Sequence, residues 1–248
     1  MVMLAGALLI AALAMLAHGW RRRSLAARIA GAVRGGSRSR PRASLGWAAG
    51  IATMYGATSL AALALLGRLD ALAALPQELR QARDALGIAP IPISAIRDLA
   101  LPIAGGFVGG VLLVALLLRR GWRIGPRYRS PAIAGTPAEA GAALMLAVAA
   151  GVSEELFFRL LVPLLAALVF GNGVAGCVLA WALFALAHRY QGRGGMAAVA
   201  LVGAALAWIY LATGLLWLVI ALHVLVDANS LVVRPWLERR FSRKRDQR

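Results

Sequence analysis

The chain has 248 residues, of which 61% are hydrophobic and 15% charged, yet 27 Lys+Arg against 10 Asp+Glu give it a net charge of +17. A mean hydropathy of +0.76 excludes an ordinary soluble domain, in which about a quarter of the residues are charged, and removes nucleic-acid binding as the leading reading of the basic residues. The single cysteine, Cys177, excludes an intrachain disulfide framework and a cysteine-based zinc cluster.

A membrane-crossing helix needs about 20 mostly apolar residues at 1.5 Å rise each, and seven candidate segments follow one another along the chain. The first, Met1 to Gly19, is interrupted only by His18 and is followed at once by Arg21, Arg22 and Arg23. A cleaved signal peptide carries its charges before the apolar stretch, so this segment reads as a retained span with its N-terminus outside. His18 has no partner at a motif spacing and reads as an interfacial residue. Gly35 to Arg42 reads as a short flexible basic linker. Leu45 to Gly67 and Leu99 to Leu118 are the second and third spans. Between them, Gln77 to Arg80 and the Pro90, Pro92 pair indicate a short surface helix and a loop.

The fourth element, Ala140 to Phe170, is too long for one straight span; it contains Glu154, Glu155 and Arg159, and Pro163 is expected to bend it. Gly171-Asn172-Gly173 signals a turn. Val174 to His188, Met196 to Ala212 and Gly214 to Val233 supply spans five to seven, and a basic tail runs from Arg234 to Arg248. The fold class that follows is an all-α, polytopic membrane bundle. Its expected parts are a three-span N-terminal segment (1–137), a helical core (138–233) and a cytoplasmic tail (234–248).

Positive residues stay on the cytoplasmic side of short connections. With the N-terminus outside, segments 20–43, 119–137, 189–195 and 234–248 fall inside and hold 22 of the 27 basic residues. The outer segments hold only Arg68, Arg80, Arg83 and Arg97. This bias sets an orientation with a cytoplasmic C-terminus and assigns the Arg clusters to topology and to anionic lipid headgroups. Almost every basic residue is Arg, and Ala and Gly are abundant, a composition that suits a GC-rich bacterial genome and hence a bacterial inner (plasma) membrane.

Ionisable groups at mid-bilayer cost roughly 2.5 to 3.5 kcal/mol each on an insertion scale, so the polar exceptions carry the information: Glu154, Glu155, Arg159, His188, His223 and Asp227. At about 100° per residue, Glu155 and Arg159 share a face and form an i,i+4 pair in the favoured order. That reads as a helix-stabilising buried pair. Glu154 points away from its neighbour and has no cation nearby in sequence. A carboxylate so placed in low dielectric titrates nearer neutrality, as a general acid or base requires. Phe184 and His188 are four apart, as are His223 and Asp227, so spans four, five and seven can converge these groups on one point. Rise per residue puts His188, His223 and Asp227 in the inner half of the bilayer. Glu154, counted from Ala140, comes out shallower by several ångströms.

Glu154-Glu155-Leu-Phe-Phe-Arg159, Phe184-Ala-Leu-Ala-His188 and His223-Val-Leu-Val-Asp227 are EExxxR, FxxxH and HxxxD motifs. In this order on successive hydrophobic helices, they closely resemble the CPBP intramembrane protease family, which includes CAAX prenyl endopeptidases and bacteriocin-processing and immunity proteins. The resemblance covers about residues 138 to 233. It implies that Glu154 and His188 activate the attacking water, while His223 and the residue four after it stabilise the oxyanion. Many relatives have Asn at that last position where this chain has Asp227; a protonated, buried Asp also donates a hydrogen bond.

The expected function is therefore an intramembrane endopeptidase acting on a peptide or membrane-protein substrate. Glu155, Arg159 and Phe184 serve as structural support, and membrane lipids rather than nucleic acid are the other partners. The chemistry needs no certain cofactor. The alternative is a divalent metal such as zinc held by Glu154, His188, His223 and Asp227, and Asp227 in place of Asn makes that alternative stronger. In another functional class, the same fold acts as a non-catalytic immunity or scaffold protein. A proton-coupled transporter ranks third, because no internal repeat is present and every motif lies in the C-terminal half. No HExxH pair and no GxSxG elbow occurs in the chain.

Overall fold

A computed structural model describes residues 1–21, 39–120, 122, 130 and 132–243. Among these residues the structure is helical, with turns and no strand, so the all-α class is as expected. Helix α1 is Val2–Arg21. Helix α2 (39–65) joins Ser39–Ile51 to Thr58–Leu65 through the π turn Ala52–Ala57. Helix α3 is Gln77–Ala85 and α4 is Ile93–Arg119. Helix α5 (137–170) joins Pro137–Glu155 to Val162–Phe170 through the π turn Leu156–Leu161. Helices α6, Gly173–Ala187, and α7, Gly192–Thr213, follow. Helix α8 (216–243) joins Leu216–Ala228 to Arg234–Arg243 through the π turn Asn229–Val233.

Among the described residues, four helices are long and apolar enough to cross a membrane: Val2–Gly19, Arg40–Leu65, Arg189–Thr213 and Leu216–Phe241. The protein is thus a multi-pass membrane protein, but the structure does not reproduce seven uniform spans. In α4 the apolar stretch is only Ala104–Arg119, and α6 is 15 residues long. Helix α5 carries three ionisable groups at its middle. Two boundaries also differ from the sequence reading. Residues 35–38 of the expected linker lie outside the described residues, while Ser39 to Arg42 already form the first turn of α2. The basic tail is not all tail, since α8 continues to Arg243.

Helix α5 is the centre of the bundle. Phe157, Leu160, Leu161, Val162, Leu164 and Leu165 are almost fully buried, and a helix apolar on every side is one surrounded by other helices. Its start is fixed by a capping box: Thr136 Oγ1 accepts from the Glu139 N–H at 3.3 Å, and Glu139 Oε2 accepts from the Thr136 N–H at 3.2 Å. Pro163, expected as a bend, sits just after the π turn. Proline lacks an N–H and crowds the preceding turn, and a turn widened to i→i+5 accommodates both.

Other helices are placed against α5 by close backbone approach. A Cβ on Gly151 would lie 2.5 Å from Val224 Cγ2 and 3.3 Å from the Ile220 carbonyl, so glycine here lets α8 approach α5 one turn from the adjacent glutamates. Helix α2 packs along the other side of α5, which makes the N-terminal half part of the same bundle. Asn172 caps α6 by accepting from the Ala175 N–H at 3.0 Å, after Gly171 in the left-handed region, as the turn signal implies. The short helix α3 buries Leu79 and Ala82 against α6 and α5.

Candidate active site

Glu154 and Glu155 are the last two residues of the regular part of α5, and their carboxylates diverge. Glu155, with no exposed surface, lies between two partners: Arg159 Nε at 3.1 Å and His223 Nδ1 at 2.6 Å. The pair with Arg159 is the expected one. The contact with His223 lies beyond the helix-stabilising role read from spacing, since it joins residues 68 apart in sequence. A carboxylate paired with Arg159 acts as the acceptor, so His223 donates from Nδ1. Its Nε2 is left 4.0 Å from Glu154 Oε2 and 3.8 Å from Asp227 Oδ2.

His188 closes α6 at the first residue past its last turn. Its Nδ1 lies 2.9 Å from the Phe184 carbonyl. A carbonyl only accepts, so the proton sits on Nδ1 and Nε2 presents its lone pair. That nitrogen faces Glu154 Oε2 at 3.8 Å. Glu154 Oε2 therefore has imidazole nitrogens on two sides at distances too long for direct hydrogen bonds, and no group among the described residues satisfies it.

The depth offset inferred for Glu154 is not seen: its Oε2 lies 3.8 Å from His188 Nε2 and 4.0 Å from His223 Nε2.

Phe184 is a wedge among these groups. The Arg159 guanidinium carbon lies 4.0 Å above its ring centroid; the His188 ring is 4.8 Å away and the His223 ring 6.2 Å away, edge-on at 88°. Phe158 packs on its other side at 5.4 Å. Helix α7 supplies the seat, because a Cβ on Gly203 would lie 2.8 Å from Phe184 Cδ1. Phe184 and Phe158 are both buried, as packing residues should be.

Glu154, His188, His223 and Asp227 line a single cavity of about 290 Å³. Its apolar wall includes Trp47 and Ile51 of α2, Leu146 and Ala150 of α5, and Val199, Val202 and Leu206 of α7. Polar groups come from Tyr190 and Gln191, and from Ser230, Arg234 and Glu238 on α8. Motif reasoning does not reach Trp47, Ile51, Tyr190 or Gln191. The four-residue spacing of Trp47 and Ile51 on one helical face is a signal for those two.

Among the described residues, no three His, Cys, Asp or Glu side chains are grouped so as to hold a metal ion. His223 Nδ1 is committed to Glu155, and as placed the four expected ligands do not form such a set.

Residues 136–229 match a family model described as Rce1-like, type II CAAX prenyl endopeptidase. This stretch contains all three motifs and upholds the resemblance drawn from them. Neither the curated proteins nor the solved structures compared with the chain gave a match. The chain is thus a multi-pass membrane protein whose residues 136–229 are similar to CAAX-type intramembrane proteases.

Proposed function

We propose that the protein is an intramembrane endopeptidase of a bacterial plasma membrane, with its N-terminus outside and C-terminus in the cytoplasm. Its substrate is a peptide or membrane protein that enters the cavity between α5, α6 and α8 from the cytoplasmic half. The observation that carries this reading is the opposition of Glu154 Oε2 and the bare Nε2 of His188 at 3.8 Å, facing a cavity with apolar walls.

A water hydrogen-bonded to both groups loses its proton to this pair as its oxygen bonds to the carbonyl carbon. The carbonyl oxygen takes up the negative charge. His223, as imidazolium, gives Nδ1–H to Glu155 and directs Nε2–H to that oxyanion, while Asp227 in its protonated form donates beside it. The C–N bond then breaks, and the proton held by the Glu154–His188 pair passes to the leaving amine. Glu155 and Arg159 hold His223 and do not touch substrate. Lipid is the surrounding solvent, and nucleic acid has no role. The route passes through no metal, so cleavage persists after chelation; loss on chelation with recovery on added zinc would replace it.

The test compares membranes from cells carrying wild-type, Glu154→Gln or His188→Ala protein at equal levels. Proteomics should show a peptide whose processing disappears in both variants. Cleavage of that substrate at the wild-type rate by either variant would sink the hydrolytic reading. Full rescue of a deletion phenotype by Glu154→Gln would favour a binding or immunity role.

A further inference from the structure

Apart from the main cavity, a crevice of about 20 Å³ lies where α6 and α7 meet α5, bordered by Arg159, Cys177, Gly203 and Tyr210. Two of its lining residues carry a buried polar atom with no hydrogen-bond partner among the described residues: Nη1 of Arg159 and the hydroxyl of Tyr210. Their residues are only 5% and 2% exposed. The remaining guanidinium contacts do not absorb the donors of Arg159. Its Nε lies 3.1 Å from Glu155 Oε2 but off the line of a hydrogen bond, and Nη2 reaches the Gly203 carbonyl at 3.4 Å.

An unpaired hydroxyl and an unpaired guanidinium N–H are costly in an apolar interior. A site for one water needs about 10–15 Å³ and two to four polar partners, and the crevice meets both conditions. Arg159 offers only donors, Tyr210 a donor and an acceptor, and the Cys177 thiol a weak third contact. A molecule that accepts from Arg159 and exchanges a hydrogen bond with Tyr210 satisfies both. A halide ion is about the right size, but the Glu155 carboxylate already neutralises this guanidinium from 3.1 Å and repels a second anion.

We propose that one buried water molecule occupies this crevice and bridges Arg159 Nη1 to the Tyr210 hydroxyl. It ties α7 to the Glu155–Arg159 ion pair through a residue that belongs to none of the three motifs. The inference is independent of the chemistry proposed for the main cavity.

Tyr210→Phe gives a test whose sign is decisive. If the hydroxyl is bridged, its removal strands Arg159 Nη1 and the purified protein melts about 2–4 °C lower. If the hydroxyl is unpaired, removing it relieves a buried polar group, and the melting temperature stays level or rises, which overturns the proposal. An experimental map of the wild-type protein, at a resolution that shows ordered waters, should place a single peak within hydrogen-bond distance of both atoms. That map decides the matter if the variant cannot be purified. No peak there, or an anomalous peak after bromide soaking, would likewise overturn it.

Discussion

Two neighbouring glutamates should respond to the same substitution in opposite ways. Glu155 makes two charge-assisted contacts, 3.1 Å to Arg159 and 2.6 Å to His223, with no exposed surface. Glu155→Gln leaves the Arg159 cation, itself 5% exposed, without its counter-charge. Breaking a buried pair from one side costs about 3–5 kcal/mol, and at roughly 2–4 °C per kcal/mol for a chain of this size the melting temperature should fall by about 6–20 °C. Glu154 has no cation in contact, and its nearest nitrogens are 3.8 and 4.0 Å away. Glu154→Gln should therefore stay within about 1 kcal/mol of wild type while cleavage is lost. The assay is thermal unfolding of detergent-purified variants, followed by tryptophan fluorescence and paired with cleavage of the substrate found by proteomics. A Glu155→Gln protein melting within 2 °C of wild type would refute the buried ion pair as the anchor of His223. Equal destabilisation by both variants would refute the division of roles.

Two further outcomes follow from packing and from charge outside the spans. Gly151→Ala should destabilise by about 1–3 kcal/mol and lower cleavage, because the new methyl would meet Val224 at 2.5 Å and displace α8 with His223; Gly141→Ala, with open space around it, is the control that should change neither unfolding nor cleavage. Arg68 grips Glu78 through two bonds of 2.9 Å between α2 and α3, and this holds the Glu78 carboxyl below the usual carboxylate range. A lowered folded-state pKa means the contribution is present above the unfolded carboxylate pKa and is lost as pH falls through the folded one. For a partly exposed pair it is about 0.5–1 kcal/mol. Arg68→Ala should melt lower than wild type at neutral pH and converge with it in acid, and a constant difference across that range would contradict the assignment.

What the sequence discloses about this site follows the reach of local spacing. The EExxxR string places Glu155 and Arg159 on one face, and the 3.1 Å contact is there. The FxxxH spacing places the Phe184 carbonyl under His188, and that carbonyl fixes the imidazole tautomer. Helix periodicity cannot reveal that Glu155 also accepts a hydrogen bond from His223 Nδ1, because that contact depends on how closely α8 approaches α5, and Gly151 sets that distance. Starting the fourth helix at its first apolar residue passes over Thr136-Pro137-Ala138-Glu139, whose capping box begins the helix earlier. Four helices among the described residues meet the length and hydropathy of a span, and α5 adds ionisable groups that its neighbouring helices accommodate.

The same reasoning separates the two signs of charge. Cationic residues concentrate at the ends of the apolar helices and in the segments between them, where they cost little. The acidic residues Glu154 and Glu155 lie in the most buried helix, where each requires a partner. Glu155 has charged partners at 2.6 and 3.1 Å, whereas Glu154 Oε2 has no hydrogen-bond partner among the described residues and its imidazole neighbours stand 3.8 and 4.0 Å away. A membrane helix that retains a carboxylate in that condition must recover its cost from something other than stability. The proposed hydrolysis assigns that recovery to the pairing with His188 Nε2 at 3.8 Å, with the attacking water held at the Glu154 oxygen.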